Sequence, residues 1–104
     1  MDFGEALKIV KEGGMIYRTG WNGIGLFVFA QVPAIIGIDI IPKMQSLPKQ
    51  VKDVFINRAE YGKPATFQSI AYKDQLALVD AFNVITGWSP STADALATDW
   101  KVYV

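Results

Sequence analysis

The sequence of 104 residues contains no cysteine and no histidine. Without cysteine there is no disulfide framework, thiol nucleophile or thiolate metal site. Without histidine, the commonest general base near neutral pH and the commonest metal ligand are both missing. Ser/His/Asp and Cys/His catalytic sets are therefore excluded. Ten basic and ten acidic residues cancel, and no basic tract is present, so attraction to a DNA or RNA backbone is not written into the chain. There is no Gly-rich phosphate loop ending in Lys-Ser/Thr, and "GWNGIG" lacks the G-x-G-x-x-G spacing. The start, "MDFGEALKIV", is acidic and amphipathic, unlike a signal peptide. The most apolar run, residues 24–41, contains Pro33, Gly37 and Asp39 and is too broken for a membrane span. These absences predict a soluble, cytoplasmic protein with no membrane or nucleic-acid partner, no cofactor, no metal and no catalytic site.

What is present is apolar. Hydrophobic residues make up 51% and charged residues 19%, a balance of folded chains and not of disordered ones. The length predicts one domain, residues 1–104, with a core modest enough that association with further copies is a common way to bury more.

Periodicity predicts the elements. In "DFGEALKIVKE", residues 2–12, Phe3, Ala6, Leu7 and Val10 fall at helical spacing. Asp2 and Glu5 have capping-box spacing, and Gly13-Gly14 supplies the stop. "MIYRT" (15–19) and "IGLFVFAQV" (24–32) read as a β-hairpin around "GWNG", whose Asn22-Gly23 tolerates positive φ. "PKQVKDVFINR" (48–58) is a second helix with Val51, Val54 and Phe55 on one face. "QSIAY", "QLALVDA" and "VITGW" read as three strands, with turns at Lys73-Asp74 and Phe82-Asn83. A short helix runs from Ser89-Pro90 to about Ala97, and "DWKVYV" is a closing strand. The predicted class is α+β: a mostly antiparallel sheet with an N-terminal helix, an inserted middle helix and a short C-terminal helix before the last strand.

The three tryptophans, Trp21, Trp88 and Trp100, lie among small polar residues and not in apolar runs. Each is either a core anchor or a stacking platform. In "RTGWNG", residues 18–23, Arg18 offers a planar fork for phosphate or carboxylate. Asn22 both donates and accepts, Gly23 allows close backbone approach, and Trp21 can stack on a base. In "WSPSTAD", Ser89 is a good N-cap, and Ser91 with Asp94 can cap one step later. The alternative is that amides at this helix start, with the Ser91 and Thr92 hydroxyls, bind phosphate or sugar. Asp94, in the first turn, then meets ribose hydroxyls or a base amine, and Trp88 is a second stacking surface. Phe27 lies near the hairpin's turn end and joins the candidate set, although Phe27 and Phe29 also suit a core face. Asp94 and Asp99 are five apart, poor spacing for an acid/base pair on one helix face. "IIGIDII" is the first candidate for a subunit contact.

Taken in order, Phe3, Gly4, Ala6 and Leu7, then Arg18, Gly20, Trp21, Asn22 and Gly23, then Trp88, Ser91, Asp94, Leu96, Ala97, Asp99 and Trp100 make a specific set. It resembles a family of small phage and prophage proteins whose studied members are the second Thoeris anti-defence family. The match covers both ends, roughly half of the chain. The resemblance implies a molecular sponge: a homotetramer or homodimer in the host bacterial cytoplasm that holds a cyclic ADP-ribose-type signal, or a cyclic dinucleotide, without cleaving it. Trp21 and Trp88 would then wall the base, Arg18 and the amides near Ser91-Thr92 would meet the pyrophosphate, and Asn22 and Asp94 would meet sugar or base edges. Compact family members lack a stretch like residues 42–67, so this segment stands out as an insertion able to reshape or lid the pocket. The rival reading is a structural or protein-interaction module in which the tryptophans are core.

Overall fold

The structure is a computed structural model that describes residues 1–21, 23–62 and 68–104. Its chain packs into two compact units: residues 1–32 with 74–104, and residues 33–73.

The first unit begins with α1, Phe3–Lys11. Asp2 accepts from the Glu5 N–H at 2.8 Å, and Glu5 accepts from the Asp2 N–H at 3.3 Å, which completes the expected capping box. At the other end the Gly14 N–H bonds the Ile9 carbonyl at 2.9 Å and the Gly13 N–H bonds that of Val10 at 3.0 Å. This is the Schellman pattern, and Gly13 supplies it with φ of 94°.

Five antiparallel strands form the sheet: β1 (Ile16–Arg18), β2 (Phe27–Gln31), β5 (Gln75–Val79), β6 (Ile85–Gly87) and β7 (Trp100–Val102), in the order β6-β5-β2-β1-β7. Ile16 pairs with both Val28 and Val102, and Arg18 pairs with Trp100. Directly paired residues share a sheet face, so Ile16, Arg18, Val28 and Trp100 all point one way. That face carries α1, and Ala6, Val10, Ile16, Val28 and Trp100 are the buried cluster between them.

Two sequence expectations shift here. Phe27 and Phe29 lie on the opposite face, where Phe27 packs on Tyr103 with ring centroids 4.8 Å apart, because strand side chains alternate and Val28 takes the α1 side. The β1–β2 hairpin is also wider than a tight "GWNG" turn: β1 ends at Arg18 and β2 begins at Phe27, and a positive φ of 79° falls at Gly25 and not at Gly23. The β5–β6 turn is as expected. Asp80 accepts from the Phe82 and Val84 N–H groups at 2.8 and 3.0 Å, and Asn83 takes φ of 62°. Between β6 and β7 lies α3, Thr92–Leu96, with Ser91 as its N-cap, the later of the two capping positions.

The second unit contains β3 (Ala34–Gly37), antiparallel to β4 (Ser69–Tyr72), and α2 (Lys49–Tyr61). Pro48 caps α2 from just outside it. Ala59 is buried and Lys52, Phe55 and Ile56 are half-buried, spaced as one helical face. Val51 and Val54, expected on that face, are exposed at its margin. Among the described residues no helix is long and apolar enough to cross a membrane.

Gly13→Ala places a β-carbon in the left-handed region and should lower unfolding free energy by about 1–2 kcal/mol. Urea unfolding followed by circular dichroism measures this. An unchanged midpoint would show that the Schellman turn does not hold the helix end.

Candidate functional site

β1 delivers Arg18 to the sheet end opposite Trp100. The guanidinium there meets two carboxylates from the far end of the chain. Its Nε–H donates to Asp99 Oδ1 at 2.9 Å, and its Nη1–H donates to Asp94 Oδ1 at 2.8 Å. Asp99 Oδ2 accepts in turn from the Thr19 hydroxyl at 3.2 Å and the Gly20 N–H at 2.9 Å. Asp94 Oδ1 also accepts from the Trp21 indole N–H at 3.3 Å, and its Oδ2 accepts from the Ser91 N–H at 3.1 Å. Ser91 closes the α3 cap by accepting from the Asp94 N–H at 3.0 Å. The Trp100 indole N–H donates to the Asp94 carbonyl at 2.9 Å. All four carboxylate oxygens are thus bonded.

The charges respond accordingly. Hydrogen bonds to Asp94 and Asp99 raise the Arg18 pKa. Arg18 and the Gly20 N–H hold Asp99 down at about 2. Burial pushes Asp94 up, but its bonds from Arg18, Ser91 and Trp21 outweigh that and leave it below the ordinary carboxylate value.

The tryptophans meet beside this clamp. Trp21 lies edge-on to Trp100 at 5.3 Å and to Trp88 at 6.1 Å, and Trp88 lies edge-on to Trp100 at 6.1 Å. Phe3 of α1 packs on Trp100 at 5.3 Å and on Trp88 at 6.3 Å. Such edge-to-face contacts suit the ring quadrupoles. Trp100 is 1% exposed and belongs to the core, whereas Trp21 and Trp88 are half-buried against it. Trp100 is therefore a core anchor, while Trp21 and Trp88 keep part of their surface open.

Trp21 also walls a cleft of about 360 Å³, together with Tyr17, Arg18, Gly23, Leu26 and Tyr103. Ile24 stands at its edge, 94% exposed. Of the candidate residues, Arg18, Trp21 and Gly23 line this cleft. A β-carbon on Gly23 would collide with the Leu26 side chain, so its bare backbone serves loop packing. Phe27 sits behind Tyr103 and does not line the cleft. Asp94, Ser91 and Trp88 join the clamp and the aromatic cluster, not the cleft wall. Thr92 opens α3 and is exposed. Of the amides expected to meet phosphate, the Ser91 N–H is already bonded within the α3 cap. Asn22 lies outside the described residues.

Sequence reasoning leaves Asp99, Tyr17 and Tyr103 out of the candidate ligand-binding set. Helical spacing argues against pairing Asp99 with Asp94. But α3 ends at Leu96, and the extended backbone after it carries Asp99 to Arg18 alongside Asp94. The β1–β7 pairing is the signal that finds it. A separate cavity of about 500 Å³ lies in the second unit between Phe55, Arg58 and Tyr72, and holds none of the candidate residues. Among the described residues no three His, Cys, Asp or Glu side chains are grouped to hold a metal.

Fold and site together define a small α+β protein with an aromatic cleft at the end of its sheet, fixed by an internal ion-pair clamp. The Thoeris anti-defense 2-like domain matches residues 1–103, and the chain belongs to that family. A protein of Bacillus phage SP01 named Thoeris anti-defense 2 is 32% identical over 102 residues, covering 98% of this chain and 93% of that protein. Membership supports a phage anti-defence role. Both matches run through residues 42–67, so the relative from phage SP01 aligns across the stretch read as an insertion.

The depressed pKa of Asp99 gives a signed prediction. Its folded value of about 2 lies below the ordinary 3.8, so its stabilisation is complete above about pH 4 and is lost as pH falls towards 2. Asp94 acts in the same direction. The melting temperature of the parent should fall more steeply from pH 4 to pH 2 than that of Asp99→Asn. Parallel slopes would remove Asp99 from the acid response.

Proposed function

We propose that the protein is a sponge. It binds a cyclic ADP-ribose-type signal of the bacterial Thoeris defence, holds it intact and thereby keeps it from its receptor in the host cytoplasm. Family membership supplies the anti-defence role. One observation carries the binding reading: the Arg18–Trp21 segment, held by Asp94 and Asp99, forms a wall of an aromatic cleft.

Several features support holding without cleavage. The chain has no histidine or cysteine, and both clamp carboxylates lie below the ordinary range and accept bonds at every oxygen. Neither is suited to take or give a proton near neutral pH. Tight retention at roughly nanomolar affinity corresponds to about 12 kcal/mol, which needs a wall already in its bound shape. A cleft of about 360 Å³ is near the small end for ligand pockets, so a second copy of the chain completes the enclosure in a homodimer or homotetramer. Ile35 of "IIGIDII", largely exposed, is the proposed subunit contact. A cyclic dinucleotide is the second ligand class to test.

One observation favours the rival module reading: Phe82 is 87% exposed and adjoins the exposed Val84 and Ile85. Titration separates the two. Cyclic ADP-ribose isomers should quench tryptophan fluorescence, and ligand released by heating should have an unchanged mass. Trp21→Ala removes one stacking wall, worth about 1–3 kcal/mol, and should weaken binding by roughly 5- to 150-fold. A melting scan of the same sample identifies any unfolding. If neither cyclic ADP-ribose isomers nor cyclic dinucleotides change the fluorescence or release heat, the sponge gives way to the module.

A further inference from the structure

In the second unit, β4 turns one backbone edge away from β3. The Ile38 N–H donates to the Gln68 carbonyl at 2.9 Å, one step beyond the Gly37–Ser69 pair. Antiparallel pairs alternate between bonded and non-bonded. Ile70 and Tyr72 therefore direct their backbone groups to β3, and Ser69 and Ala71 direct theirs outward. Among the described residues no strand pairs with that outer edge. The cavity of about 500 Å³ lies beside it, touching all four residues of β4 and none of β3. Successive side chains point to opposite faces, so a space within reach of all four runs along the strand's backbone edge.

α2 forms the facing wall. Phe55, Arg58 and Gly62 line the cavity from one helical face, and Leu47 adds apolar surface. Arg58 is exposed, and among the described residues it makes no ion pair. Residues 33–73 carry six Lys and Arg against three Asp and Glu, so this unit attracts anions although the whole chain is neutral. One occupant has to meet three demands: backbone N–H and C=O groups for the edge, an apolar group for Phe55, and a negative charge for Arg58. A nucleotide or a lipid offers no row of amides. An extended peptide offers all three, and the volume is within the range of ligand pockets.

We propose that the groove between β4 and α2 binds an extended acidic peptide of a partner protein, which adds a strand to the outer edge of β4. On one face of that strand, an apolar side chain packs on Phe55 and a nearby aspartate or glutamate side chain meets Arg58, one helical turn further along α2. The inference goes beyond the sponge reading and does not depend on it, since the groove and the Arg18 cleft share no lining residue among those described.

The probe is the peptide Ser-Val-Thr-Glu-Thr-Val-Ser, amidated and carrying fluorescein on its N-terminus, titrated with the full chain and followed by fluorescence polarisation. It should bind, and lysine in place of its glutamate should weaken binding by roughly tenfold or more. Arg58→Glu, at an exposed helix position, should reverse that preference. Alternate residues of an added strand bond the edge. N-methylation of the two threonines, or of the valines with the glutamate, should therefore abolish binding in one case and leave it within about threefold in the other. Ala71→Pro removes an outward N–H and should weaken binding by about tenfold; Arg58→Glu decides if that variant does not fold. The proposal is overturned if the peptide does not bind at about 1 mM. The same follows if Arg58→Glu leaves the preference unchanged or both methylations act alike. Dissociation of an oligomer by the peptide, seen in sedimentation velocity, would assign the groove to a second copy and overturn it too.

Discussion

The contact on which the site depends joins Arg18 to Asp94 and Asp99, residues 76 and 81 positions further along the chain. It ties the end of β1 to the segment running from α3 into β7. Each carboxylate also shapes its own neighbourhood, for Asp94 caps α3 with Ser91 and Asp99 organises the Thr19-Gly20 backbone. The clamp is partly exposed, so its contribution is geometric more than energetic, since solvent and salt screen such pairs. Cohesion comes from the buried cluster around Trp100, where loss of a large aromatic side chain is typically worth about 3–5 kcal/mol. The aromatic core supplies stability, and the clamp selects one arrangement of the loop above it.

That division of labour explains the placement of the tryptophans. Trp100 is enclosed, and its indole N–H is satisfied by the Asp94 carbonyl, as a buried ring with a polar handle requires. Trp21 packs on Trp100 from the solvent side, donates to the Asp94 carboxylate and turns its remaining surface to the cleft. A ring fixed by an edge-to-face neighbour and a hydrogen bond has little rotamer freedom left to lose on binding. This is the preorganisation that the proposed sponge demands. Under the sponge reading, anchor and platform are two sides of one indole.

Much of the local structure is legible in the sequence because its causes lie within a few residues of each other. Asp2 with Glu5, Gly13 with Gly14, and the Phe82-Asn83 turn are satisfied by neighbours, and each forms where the sequence places it. The α+β class follows from the alternation of periods. What stays hidden is long-range. Nothing near Arg18 says that β1 pairs with β7, so nothing local says that its fork is filled by Asp99 and Asp94. Strand alternation leaves two choices for which face takes the helix, and Val28 takes it in place of Phe27 and Phe29. The motif residues can be found from the chain alone; their division between cleft wall, clamp and core cannot.

The clamp also bears on chemistry. A general acid or base works best with a pKa near the operating pH, and buried polar sites often push a carboxylate up towards that range. Here hydrogen bonding acts the other way: Asp99 is held at about 2, Asp94 lies below its ordinary value, and Arg18 lies above its own. These three groups keep fixed charges across the range in which a cell operates. A cluster that does not titrate there has no proton to trade with a substrate, but it holds Arg18, the one of the three that lines the cleft, in constant shape and charge. For the proposed sponge, constancy of that kind serves retention of a ligand better than its conversion.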